Sequence, residues 1–172
     1  MGKKTRMTVL GVVISSMLLA GCGAEEDKEA EPTNSHAGMH QSVAANGDLQ
    51  EKTAGIDKLP TFLDPLDPML KTAYSTAGEV KDILKSIPCY CGCGDSAGHK
   101  SNLNCFIKET DPDDGSVVWD DHGTRCGVCV ETAMTVSELS KQGKSVKEIR
   151  AIIDETYSTG QYAPPTPTPE VM

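Results

Sequence analysis

The sequence predicts an all-α fold: a small helical bundle with an irregular cysteine-rich loop inserted between its helix pairs, preceded by a signal peptide and a disordered tether. Three observations predict it. Apolar residues recur at helical spacing on both sides of the middle of the chain, and capping residues bracket them. The segment Cys89–His122 loses that period and is broken by Gly92, Gly94, Gly98, Asp111-Pro112 and Asp113-Asp114-Gly115. The stretch Gly23–Lys58 holds eight acidic and three basic residues with few large apolar ones, too little to bury a core alone.

Taken in order, residues 1–21 have the layout of a secretory signal, with Lys3, Lys4 and Arg6 ahead of an apolar run of 14 residues, Met7–Ala20. That run is shorter than the roughly 20 residues needed to span a bilayer. Leu19-Ala20-Gly21-Cys22 resembles the lipobox of bacterial lipoproteins, which implies a diacylglycerol on Cys22 and a mature chain that begins there. Two or more acyl chains hold a protein firmly where one does not. The expected location is the extracytoplasmic face of the cell membrane, with lipid on Cys22 as the membrane contact. Loss of the leader takes the formal charge from −9 to −12, which argues against nucleic acid as a partner. Residues 22–58 read as the lipidated tether, 59–163 as the folded domain and 164–172 as an extended proline-rich tail.

Within the domain, Asp67 precedes Pro68, the arrangement of an N-cap followed by a first-turn proline, and a short helix is expected to about Ser75. Thr76 and Glu79 have capping-box spacing, and Val80, Ile83, Leu84 and Ile87 then form one apolar face that Pro88 ends. A short hairpin is expected near Gly115–Trp119 inside the loop. Helical spacing returns at Cys126, Cys129, Val130, Ala133 and Met134 and stops at Gly143, a C-terminal glycine cap. Ser145 and Glu148 repeat the capping-box spacing for a last helix that buries Val146, Ile149, Ile152, Ile153 and Tyr157.

Chemistry concentrates in the cysteines. Besides Cys22 there are six, Cys89, Cys91, Cys93, Cys105, Cys126 and Cys129, and His99 and His122 interleave them. Thiolate and imidazole are the donors that zinc and softer ions prefer, and a closed structural zinc takes four. Eight donors suffice for two complete tetrahedral sites or for one site with thiols to spare. The expected cofactor is therefore a metal ion, zinc first and copper(I) second, with all eight residues as ligands. A metal-receiving or redox partner protein would follow from a handling role. Two other readings stand beside it: a disulfide-stapled structural domain, and a thiol-disulfide protein working through Cys126-x-x-Cys129 at a helix start. Three cysteines within five residues make a poor staple, since each would need its own distant partner at a specific approach. No nucleophile and base pair stands out, so no catalytic residue is assigned and no enzyme activity is expected. His36, Met39 and His40 could attract copper but read as solvated linker residues, and the spacing of Asp111, Asp113 and Asp114 does not fit a calcium loop.

Pro88-Cys89-Tyr90-Cys91-Gly92-Cys93, continued by Gly98-His99, Asn104-Cys105-Phe106, His122, Cys126-x-x-Cys129 and Gly143-Lys144-Ser145, resembles the bacterial lipoproteins named for a PCYCGC motif. The likeness covers most of the domain and implies lipid anchoring without a specific activity. A weaker likeness, limited to the Gly-Lys-Ser helix start and the helix-borne Cys-x-x-Cys, is to membrane-anchored thiol reductants of cytochrome c maturation. Those lack a Cys-x-Cys-x-Cys run, and their activity is not carried over.

Overall fold

Residues 40–171 are described by the structure, a computed structural model. The leader, Cys22, His36 and Met39 lie outside the described residues. The architecture corrects the all-α expectation: a four-stranded antiparallel sheet is built into the domain beside its helices. Strands β1 (His40–Val43), β2 (Leu49–Thr53), β3 (Ile107–Thr110) and β4 (Val117–Asp120) lie in the order β1-β2-β4-β3. The helices are α1 (Pro68–Glu79), α2 (Lys81–Leu84), α3 (Cys93–Ala97), α4 (Gly127–Lys141) and α5 (Val146–Tyr157).

The first two strands come from residues assigned by composition to the tether. Their hairpin turns at Asn46-Gly47, where Gly47 takes φ 86°, and the Ala44 N–H donates to the Asp48 carbonyl at 2.8 Å. A left-handed residue in a short connection is what Asn-Gly supplies at least cost. Glu51 on β2 is fully buried. Its carboxylate accepts from Thr61 N (2.8 Å), Thr61 Oγ1 (3.0 Å), Phe62 N (3.3 Å) and Gln41 Nε2 (2.9 Å). Those donors tie β1 and the turn at Thr61–Leu63 to the centre of the sheet. Glu51→Ala, which strands them, is expected to cost about 3 kcal/mol in urea unfolding, since hydrogen bonds to a charged group are worth roughly 1.5–3. A loss below about 0.5 kcal/mol would return residues 40–53 to the tether.

Helix termini follow the local chemistry. Asp67 Oδ1 accepts from Met69 N at 2.8 Å ahead of Pro68. The helix runs on through Thr76 to Glu79, so the expected break at Thr76 is absent and the chain changes direction at Val80 instead. The capping box at Ser145 and Glu148 is complete in both directions, and Gly143 has φ 81°. Ile149, Ile153 and Tyr157 are buried on α5, while Val146 and Ile152 are half-buried.

Helix α1 contacts α4 and, through Tyr74, the sheet. Tyr74 stands edge-on to Phe106 at 5.1 Å, lies 6.1 Å from Trp119, and donates to the Asp120 carbonyl at 2.7 Å. Trp119 and Phe106 are both fully buried, and Trp119 Nε1 donates to Thr53 Oγ1 at 2.8 Å. Edge-to-face pairs of this kind add about 0.5–1.5 kcal/mol beyond the area they bury.

The proline-rich end is extended, and it is docked. Thr166 N donates to the Cys89 carbonyl (3.0 Å), Thr166 Oγ1 accepts from Cys89 N (2.9 Å), and Ala163 N donates to the Tyr90 carbonyl (3.1 Å). Thr168 Oγ1 donates to the Lys100 carbonyl at 2.6 Å. The tail therefore runs along the backbone of the cysteine motif as a strap, giving donors and acceptors to a segment that belongs to no regular element.

Candidate metal centre

The cysteines reach one place from three directions. Pro88 ends the helical path, and Gly92 at φ 88° reverses the chain so that Cys93 can open α3. Cys105 closes the tight turn Asn102–Cys105. Cys126 is the extended N-cap residue of α4 and Cys129 lies in its first turn. Asn102 links two of these pieces, with its N–H on the Ile87 carbonyl (2.8 Å) and its side-chain amide on the Cys129 carbonyl (3.4 Å).

Six sulfurs form one connected cluster. Cys129 Sγ lies 3.0 Å from Cys105, 3.4 Å from Cys89 and 3.6 Å from Cys91. Cys89 is 3.2 Å from Cys91 and 3.8 Å from Cys105, which is 3.8 Å from Cys93. All six are free thiols. Four sulfurs around a zinc at about 2.3 Å would be about 3.8 Å apart along each edge, so these separations equal or fall somewhat below that edge. Two sets of sulfurs could each hold a metal ion: Cys89, Cys91, Cys93 and Cys105, and Cys91, Cys126 and Cys129. Cys91 belongs to both. Shared thiolate describes a bridged cluster better than two separate tetrahedra of mixed donors.

The histidines sit at its side. Cys93, His99 and His122 make a further set able to hold an ion, and His99 Nδ1 is 3.6 Å from Cys105 Sγ. The two imidazoles are edge to face at 4.7 Å. Burial, then the charge of His122, keeps the His99 pKa low, while the Cys91 sulfur beside it and then Asp48 raise that of His122 to about 9. A bound cation would compete with the proton for either ring, since only neutral imidazole has a lone pair to give.

Two carboxylates, Asp48 and Asp120, lie beside the histidines, and the sequence reading did not include them. Asp48 Oδ2 accepts from His122 Nδ1 at 3.1 Å, and its other oxygen pairs with Arg125. Asp120 accepts from Gln50 Nε2 (2.8 Å) and from the His122 N–H (3.0 Å). Asp48 directly follows the Asn46-Gly47 turn, a signal that was present in the sequence. Asp120 carried no signal, since nothing in its neighbourhood foretells a strand end under the histidines.

Among the sulfurs, protonation is shared. Hydrogen bonds from Cys105, then Cys129, hold Cys89 low, and Cys105, then Cys126, hold Cys91 low, while Cys105 and Cys126 drive Cys129 up. Without a cation, thiols must solvate thiolates, because uncompensated buried charge is costly. Gly123 is the close-packing point of the site. A Cβ there would lie 2.8 Å from Phe106 Cε1 and 2.9 Å from the Cys105 carbonyl. Gly123→Ala is expected to cost about 1–3 kcal/mol by overpacking and to displace Cys105. Unchanged thermal stability together with unchanged metal uptake would contradict that packing.

Tyr90, inside the motif, turns from the sulfurs, stacks on Tyr157 at 5.6 Å and donates to Asp154 Oδ1 at 2.7 Å. It anchors the motif to α5. Residues 11–171 match the model of a family described as proteins of unknown function with a PCYCGC motif. The chain belongs to the PCYCGC family. No curated protein and no solved structure matches it. The PCYCGC motif itself thus has a structural account: two of its three cysteines, Cys89 and Cys93, are buried in the cluster, Cys91 is common to two candidate donor sets, Gly92 turns the chain, and Tyr90 docks it.

Proposed function

We propose that this PCYCGC protein is a lipoprotein anchored through Cys22 on the extracytoplasmic face of the membrane, whose folded domain binds soft or borderline metal ions on a thiolate cluster. The observation that carries the reading is the single cluster of six free sulfurs, with Cys91 common to two donor sets. Six sulfurs meeting as a group, each with several neighbours, suit ions shared among thiolates. Pairwise disulfides would separate them into couples at about 2.05 Å. Zinc and copper(I) both fit the donors, and His99 and His122 offer ring nitrogens beside Cys93. A thiolate-rich donor set in which one sulfur is common to two ions favours holding or handing on metal over hydrolysis.

Native mass spectrometry of the full chain, recovered from cells without added metal or reductant, tests this. Bound zinc or copper mass that is lost on acidification, with six cysteines then reactive, is the expected result. A metal-free mass six hydrogens short of the reduced chain would mean three disulfides and would end the metal reading. Fatty-acid labelling that disappears in Cys22→Ser is expected for the anchor, and release of wild-type protein without lipid would overturn it.

A further inference from the structure

The cluster is not uniformly enclosed. Cys89, Cys105 and Cys129 are 0% exposed and Cys93 is 1% exposed, whereas Cys91 and Cys126 are half-buried. Those two, with Cys129 behind them, form one of the donor sets. The approach to them is clear on the side of α4: Gly127, next to Cys126, is exposed, and a Cβ on it would meet nothing within 4 Å. On the motif side Gly92 would meet only Ala163 of the strap. The residue that follows each of the two outer sulfurs along the chain is thus a glycine, whereas the four inner sulfurs belong to the buried core together with Phe106 and Leu103.

We propose that Cys91 and Cys126 form the exchange edge of the cluster, through which metal passes to and from a partner that presents paired thiols. The inference rests on the metal reading above and adds the route and the partner's chemistry. The step is ligand exchange without electron transfer: a partner thiolate forms a bond to the metal, the Cys126–metal bond breaks, and the freed Cys126 sulfur takes the proton that the incoming thiol released. A second partner thiolate then replaces Cys91, which remains with the inner donor set, and the Cys129–metal bond breaks last, its sulfur taking the proton of the second thiol. Soft thiolates are the donors able to compete with a thiolate cluster, and a half-buried sulfur beside unobstructed backbone is where a fourth ligand can enter. Cys89, Cys91, Cys93 and Cys105 keep the remaining ion in place meanwhile.

Two measurements on the metal-loaded full chain decide it. With a limiting thiol reagent and peptide mapping, Cys91 and Cys126 are expected to be modified at least tenfold faster than Cys89, Cys93, Cys105 and Cys129. Metal transfer to the dithiol probe dithiothreitol is expected to rise in proportion to probe concentration. It should become several-fold faster in Cys126→Ser at near-normal metal content, and stay unchanged in Lys141→Ala as a control. Equal labelling of all six cysteines would overturn the edge, as would transfer independent of probe concentration, because both mean that the domain must open for metal to leave. A chain that carries no metal in the native mass fails at the earlier reading, and the two failures are thereby told apart.

Discussion

Stripping the metal from the reduced domain with a strong chelator is expected to lower its unfolding free energy by about 5 kcal/mol and its melting temperature by roughly 15 °C. Structural zinc sites in small peptides contribute about 10–16 kcal/mol. Here part of the fold stands without them, because Tyr74, Phe106 and Trp119 make an aromatic core between α1 and the sheet. The loss should therefore fall on the cysteine motif and the start of α4. Near-ultraviolet dichroism from Trp119 should survive chelation, while protection of amides around 89–106 and 126–130 should vanish. A stability change under about 1 kcal/mol would mean that the cluster does not organise this part of the chain.

The second large effect is expected at Cys129. It is fully buried and touches three other sulfurs, at 3.0, 3.4 and 3.6 Å. Serine in its place removes a soft donor and leaves a hydroxyl that a soft ion binds poorly. Cys129→Ser is expected to weaken metal binding more than about 100-fold, equivalent to roughly 2.7 kcal/mol or more. Cys126→Ser, at the outer edge, is expected to cost less than tenfold. Competition titrations with a coloured chelator measure both. Equal losses in the two variants would contradict the central place of Cys129, whatever their size.

The helical part of this fold is legible in the sequence because its signals are local. Pro68 after Asp67, the Ser145 and Glu148 box and the glycine at 143 each act within one turn of chain, and all appear as read. The hairpin expected near Gly115–Trp119 is present as β3 and β4, with Val117 and Trp119 buried, but the other strands are not legible by apolar pattern. In β2 the fully enclosed residue is Glu51, and in β3 only Ile107 is buried while Lys108, Glu109 and Thr110 are exposed. Strands held by a carboxylate and by the neighbouring β4 leave a polar sequence that composition assigns to a tether. Asn46-Gly47 was the available clue.

For the site, the cysteines and histidines could be chosen from residue type alone, and all eight lie in donor sets of the structure. Their partition could not. Whether Cys91 belongs to one set or two depends on where Gly92 turns and where α4 begins, and both are facts of three dimensions. Asp48 lies 74 residues from the imidazole it holds, a distance over which sequence spacing carries no information.

The strap has a consequence for how the centre assembles. Backbone groups of Cys89 and Tyr90 find their partners in Thr166 and Ala163, 77 and 73 residues later along the chain. Contacts of that separation form slowly compared with those inside a helix. The cysteine motif is in this sense laced by a distant thread, and its backbone is fully paired only once that thread is drawn in.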